Sequence, residues 1–484
     1  MVAPPRRGRL LLLALLAGSC QYDAVVGDPT PSGSPVPVRL ARSARADVLL
    51  VVDSSASMAG KQERLGAALQ GSLPLLSAWG SVHLAVVTTD LGAGGSAPAG
   101  CRPGGDDAAL SPVGAAAAPG CPGVSDGADY LSIDFTTGAS NVAGGDLGAA
   151  LGCLPRVGTA GCAFEQPLEA AFRALSRRGA GGALAKGGFL RDDAVLVLVF
   201  VTDEDDCSTP GETDLFDPAA TAAWGPLTSL RCARAGLRFG TPPMPLPAAP
   251  TGGPLPMPSA DETGSTLQPL SRYRTLLSSS ALGGVKADAN DVVVVSFAGP
   301  AEPVEVVAAP PSLEPNGQPP PCDGPLDGVA CAAALRPGCV ASADPSAFGL
   351  PAPRLSALVR SVSRHYQASI CETDHRQALA DVVALVAARE AGDGCLTAPL
   401  ADPGSPDCTV ADVVTHNGVS TTTRLPRCDA SATRTPCWRV VDYAACEPVV
   451  DPRSGQRFTL RLDIARGGVP PPAGSATTAT CRGL

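Results

Sequence analysis

Three stretches of the chain are apolar almost without interruption. They are Val48 to Val52, opened by Asp47 and closed by Asp53; Ala194 to Val201; and the valines between Asp291 and Ser296. Unbroken β-branched runs of this length predict strands buried on both faces, as in a parallel sheet. Val82 to Thr88 is a fourth candidate, with more alternation. Between the runs, apolar residues recur at helical spacing. Leu65, Ala68, Leu69, Leu73 and Leu76 form one stripe, which Pro74 is expected to kink or end. Leu168, Ala171, Phe172 and Leu175 form a second, with Pro167 in its first turn. Leu355, Leu358, Val359 and Val362 form a third, and Ala378, Leu379, Val382, Val383 and Val386 a fourth. Strands alternating with helices predict an α/β domain over residues 45–392, built on a doubly wound, mostly parallel sheet.

Residues 90–130, 207–265 and 299–350 break this pattern. They are rich in Gly, Pro and Ala, and each holds at least two cysteines. Loops this long are uncommon in a compact domain, so they read as surface excursions stapled by disulfides. The texture changes after Cys395. Arg457 to Ile464 alternates strictly, which predicts a strand with one buried face, and Asn417-Gly418 is a hairpin signal between two strand-like runs. Residues 394–484 are therefore expected to form a small Cys-rich β module. Residues 20–44, polar and rich in Pro and Gly, read as a tether.

Composition narrows the function. Apolar residues make up 45% of the 484, which argues against a disordered chain, and with aromatics at 4% the cores must be built from Ala, Leu and Val. A net charge of −10 argues against nucleic-acid binding and against a basic membrane-surface patch. Seventeen cysteines without a C-x-x-C pair point to an oxidising compartment rather than to zinc ribbons or redox motifs. The N-terminus agrees. Arg6, Arg7 and Arg9 precede a short apolar run, Leu10 to Leu16, and residues 1–19 read as an export signal.

Ala17-Gly18-Ser19-Cys20 resembles the lipobox of bacterial lipoproteins, with Ala17 where that family prefers Leu. The resemblance implies lipidation of Cys20 and attachment to the cell envelope, expected at the outer membrane. Setting Cys20 aside leaves sixteen cysteines, ten in the α/β domain and six in the module. Plausible pairs between neighbours are Cys101 with Cys121, Cys153 with Cys162, and Cys207 with Cys232.

Asp53-Ser54-Ser55-Ala56-Ser57 follows the first strand directly. In open α/β sheets ligands bind outside the carboxyl ends of strands. An Asp and two hydroxyls at alternate positions can turn toward one point there. Hard oxygen ligands with spare water positions suit Mg²⁺, with Mn²⁺ or Ca²⁺ as alternatives. The motif resembles the metal-ion-dependent adhesion site of von Willebrand factor type A (vWA) domains. That family adds a threonine from a second loop, matched by Thr159 in Gly158-Thr159-Ala160-Gly161. It also adds an Asp ending a hydrophobic strand, matched by Asp203 after Val199-Phe200-Val201-Thr202. Secreted bacterial lipoproteins with this domain are further resembled in Val86-Val87-Thr88-Thr89-Asp90, Phe164-Glu165-Gln166-Pro167-Leu168 and Ser369-Ile370-Cys371. One departure is Glu204-Asp205-Asp206, where members often carry Gly. Glu204 and Asp205 read either as a solvated loop or as further acidic contacts to the metal.

The resemblance implies a metal held by Asp53, Ser55, Ser57, Thr159 and Asp203, with the two aspartates acting partly through water. A carboxylate of a partner protein would complete its coordination. The chain is thus expected to be a binding protein rather than an enzyme. The alternatives are a metal-assisted hydrolase, which lacks an obvious general base since the nearest candidates are Glu204 and Asp205, and an envelope scaffold whose ion ties loops together. Four dispersed histidines (His83, His365, His375, His416) do not suggest a zinc site, and His365 and His375 read as surface or capping residues in a helical region. No Gly-x-Ser-x-Gly elbow, phosphate loop or dinucleotide fingerprint occurs.

Overall fold

The computed structural model describes residues 35–38 and most of 45–484; the longest stretches outside that description are 114–119, 177–187, 310–330 and 467–474. The export segment, Cys20 and most of the tether lie outside the described residues. In chain order the principal elements are β1 (Pro35–Val38), β2 (Arg45–Val52), α1 (Ala59–Gln70), β3 (Ser81–Thr88), β4 (Leu131–Asp134), β5 (Ala139–Ser140) and α2 (Leu147–Cys153). Next come α3 (Pro167–Ser176), β6 (Val195–Val201), α4 (Leu270–Leu276), β7 (Val292–Ala298), α5 (Pro353–Arg360), β8 (His365–Ser369) and α6 (Arg376–Glu390). The first helix ends at Gln70, and a separate turn, Leu73–Leu76, accommodates Pro74 near its start, where a missing N–H costs nothing.

A mixed seven-stranded sheet forms the centre, in the order β8-β7-β6-β2-β3-β4-β5. The five strands from β8 to β3 are parallel, and β4 and β5 add an antiparallel edge. All four apolar runs are strands of this parallel core. Successive residues of β2 point to opposite faces. Val48, Leu50 and Val52 pack with Leu65 and Leu69 of α1, Leu151 of α2 and Val382 and Val386 of α6. Leu49 and Val51 pack with Leu168 and Leu175 of α3, Leu270 of α4 and Leu355 and Val359 of α5. Each such side chain contributes about 1.5–3 kcal/mol of burial. The chain runs from β2 outward to β3 on one side, then returns to place β6 on the other. The sheet order therefore reverses between β2 and β6, and in open α/β sheets the carboxyl ends of the strands at such a reversal are where the ligand crevice lies.

The C-terminal residues form β9 (Cys408–His416), β10 (Val419–Arg424), β11 (Cys437–Asp442), β12 (Leu460–Ala465) and β13 (Ser475–Arg482). Asn417 and Gly418 lie outside the described residues, and the strands beside them pair antiparallel with His416 opposite Val419. The expected strand over 457–464 is broken at Thr459, with Arg457–Phe458 pairing elsewhere and β12 pairing with β11. Four residues read as tether, Pro35–Val38, instead form an edge strand, giving the sheet order β1-β13-β9-β10. Val36 and Val38 are buried there against Leu396, Leu400, Val410 and Trp438.

Among the described residues seven cysteine pairs are disulfide-bonded, and Cys331 is bonded as well. Cys207–Cys232 pairs as expected. The other two expected pairs exchange partners, becoming Cys101–Cys162 and Cys121–Cys153. The excursion after β3 folds back over α2 and the loop before α3 instead of closing on itself, so its cysteines meet those of the core. The six module cysteines pair among themselves as Cys395–Cys446, Cys408–Cys481 and Cys428–Cys437. His365 and His375 also differ from expectation. His365 opens β8, and His375 is fully buried before α6, its ring edge-on to Phe297 at 5.2 Å.

Candidate metal site

Backbone hydrogen bonds bring the loops after β2 and β6 together at the crevice. Asp53 N donates to Val201 O at 2.9 Å, and Thr89 N, just past β3, donates to Val52 O at 3.1 Å. The Asp53 carboxylate then folds its own loop. Its Oδ1 accepts from Ser55 N at 2.7 Å, an Asx-type turn, and its Oδ2 accepts from Thr202 Oγ1 at 2.9 Å. This turn leaves Ser55 Oγ and Ser57 Oγ 3.0 Å apart.

The loop before α3 closes the third side. Gln62 Nε2, on α1, donates to both Asp53 O and Gly158 O at 2.8 Å. Gly161 N donates to Ser54 O at 2.9 Å. A Cβ at Gly161 would stand 2.0 Å from Ser54 Oγ, so this approach requires glycine. Thr159 sits exposed at the tip of this loop. The three loops expected to converge, 53–57, 158–161 and 203–206, thus do so.

Asp203 is fully buried, and one of its oxygens forms an ion pair with the equally buried Lys61 of α1. The Lys61 ammonium also lies 4.0 Å from the centroid of the Phe348 ring, and Leu350 N holds the Asp203 carbonyl at 2.7 Å. Asp203 Oδ1 has no partner. Sequence reading missed Lys61, although it is one of three lysines and stands about one turn beyond the motif. It also missed Glu165 as a site residue. Glu165 is fully buried, accepts a hydrogen bond from Thr89 Oγ1 and leaves Oε1 unpartnered. A lone acid inside an apolar segment, just before a helix-starting proline, was the available signal.

The acidic triplet after Asp203 is not a solvated loop, which corrects that expectation. Asp205 is turned toward α5, where it accepts from Arg354 N and Leu355 N at 3.0 Å each and so caps the helix. Asp206 pairs with the fully buried Arg354 guanidinium at 3.1 Å. Glu204 is partly buried and directs no side-chain hydrogen bond among those described. Burial, then the charge of Asp203, pushes the Asp53 pKa up to about 6. Burial and the charge of Asp53 hold Glu165 well above the usual range, and burial with the charges of Asp203 and Asp53 does the same for Glu204.

The residues present suit a hard cation on two counts. Oxygens on adjacent vertices of a Mg²⁺ octahedron, about 2.1 Å from the ion, stand about 3 Å apart, the spacing of the two serine hydroxyls. Asp203 Oδ1 is a buried, unpartnered acceptor at the same crevice, a costly arrangement that a cation relieves. Among the described residues no three His, Cys, Asp or Glu side chains are grouped as metal ligands, so a cation here depends on the hydroxyls as well as on carboxylates. No family model matches the sequence, and no curated protein matches it either.

Proposed function

We propose that this chain is an exported, membrane-anchored binding protein of the cell envelope with a vWA-like domain. It would engage a partner protein through a divalent cation at the β2/β6 crevice. The observation that carries the reading is the pair of serine hydroxyls 3.0 Å apart beside buried Asp53, at the reversal of the strand order. The order itself, with one antiparallel edge, supports the doubly wound, vWA-like assignment. Asp53, Ser55 and Ser57 would hold the ion, with Thr159 and a second carboxylate, which the motif assigns to Asp203, completing the set. Mg²⁺ supplies an electrophilic centre that an incoming carboxylate can join. Neutral hydroxyl ligands preserve that electrophilicity, and the Lys61 ion pair already offsets the charge of Asp203. Thr159, exposed on a loop fastened by Gln62 and Gly161, is the residue nearest solvent and would meet the partner.

Export is supported by the disulfides, and among the described residues no helix is long and apolar enough to cross a membrane. Attachment would therefore rest on acyl chains at Cys20. A metal-assisted hydrolase is the second reading, because burial raises the pKa of Glu204 and Glu165, the direction in which a carboxylate general base is tuned. Two assays separate the readings. The protein is offered an array of Asp- and Glu-bearing peptides with Mg²⁺ and with chelator, and in parallel a panel of ester and amide substrates. Chelator-sensitive peptide capture, lost in Ser55→Ala, supports the binding reading. Metal-dependent turnover would replace it with the hydrolase, and chelator-insensitive capture would leave the ion a structural role.

A further inference from the structure

We propose that Glu165 is the second carboxylate holding the cation beside Asp53, in the place where the sequence motif puts Asp203. The assignment rests on the cation-site reading above and deepens it. Four observations carry it. Glu165 is fully buried, so as an anion it needs a counter-charge inside the protein. Its backbone is fixed between the residue after the 203–206 loop and the end of β3: Cys207 N donates to Glu165 O at 2.8 Å, and Gln166 N donates to Thr89 O at 3.1 Å. Thr89 Oγ1 clamps Oε2 and leaves Oε1 with no partner. Finally, Thr89, whose hydroxyl holds the Glu165 carboxylate, is itself bonded through its N to the carbonyl of Val52, the residue before Asp53, at 3.1 Å.

Charge distinguishes the candidates. Asp203 already has the Lys61 ammonium as its counter-ion. Asp53 is met only by neutral donors, Ser55 N and Thr202 Oγ1, and Glu165 only by the Thr89 hydroxyl. In their ionised forms Asp53 and Glu165 together carry a charge of −2, which one divalent ion would neutralise. Two carboxylates and two serine hydroxyls make a hard four-oxygen set that still leaves positions for water or an external ligand.

The test uses the full mature chain loaded with Mn²⁺ and labelled with ¹³C at glutamate carboxylates alone. None of the motif residues is a glutamate, so electron–nuclear double resonance reads the assignment directly. The expected result is a ¹³C coupling of a metal-bound carboxylate that persists in Glu204→Gln and vanishes in Glu165→Gln. Calorimetry should show Glu165→Gln weakening Mn²⁺ binding at least about 10-fold, the loss typical of removing even an outer-shell partner. Mn²⁺ bound with no glutamate coupling, or a coupling retained in Glu165→Gln, overturns the Glu165 assignment and leaves the cation site standing. Failure of the wild type to take up Mn²⁺ overturns both.

Discussion

Asp53 has no exposed surface, and its pKa is pushed up to about 6 by burial and by the charge of Asp203. Between its ordinary value of 3.8 and 6, the folded chain keeps the proton that the unfolded chain releases. Stability should then fall as pH rises through that window. Scanning calorimetry in chelator should give a higher Tm at pH 5 than at pH 7, and saturating Mg²⁺ should flatten the difference by stabilising charged Asp53. Asp205 is also raised to about 6, by burial, and its share should persist with metal because it caps α5. An unchanged slope on adding metal would place the ion elsewhere. Gly161 offers a second test. The added methyl of Gly161→Ala would meet Ser54 Oγ at 2.0 Å, so the loops must separate. The expected cost is about 1–3 kcal/mol in chemical denaturation, with weakened metal affinity. At this scale Asp53, Ser55 and Ser57 were legible because they are adjacent in sequence after a strand. Lys61 and Glu165 were not, since their roles depend on which oxygens remain unpartnered once three loops meet.

The loop before α3 is held to its neighbours by the Cys101–Cys162 disulfide and by Gln62. Replacing both of those cysteines with Ser should cost about 2–4 kcal/mol and lower metal affinity together. The same replacement at Cys428 and Cys437, in the module, should leave metal affinity unchanged. Titration of both double variants by calorimetry checks this, and equal metal affinity in the two would detach the staple from the site. The strands and main helices were readable because unbroken valine-rich runs and helical apolar stripes are local properties. Cysteine pairing was readable as an even count in each part and, for Cys207–Cys232, as a pair of sequence neighbours. Cys101 and Cys121 are close in sequence, yet each bonds to a cysteine beside α2 or α3, a choice set by where the excursion lands on the core.

Across the whole molecule, the chain contributes β1 to the C-terminal sheet before it enters the α/β domain, so both ends of that domain lead to the same module. The four residues of β1 are too short to signal a strand in a Pro-rich segment; long-range pairing with β13 creates it. Val36→Asp should place a charge among Leu396, Val410 and Trp438 and loosen the module. Limited proteolysis should then cut after residue 394 while the α/β domain stays intact; an unchanged pattern would make β1 an incidental edge. The alternation of strands and helices made a mostly parallel sheet legible, while its order, and the reversal beside the Asp53 loop where a ligand is expected, come from long-range pairing. The central claim is that this crevice holds a divalent cation. Calorimetric titration of Mg²⁺ or Mn²⁺ into the wild type and into Asp53→Ala tests it most directly. The account predicts a single saturable site in the wild type and none in the variant, while equal affinity in the two proteins would contradict it.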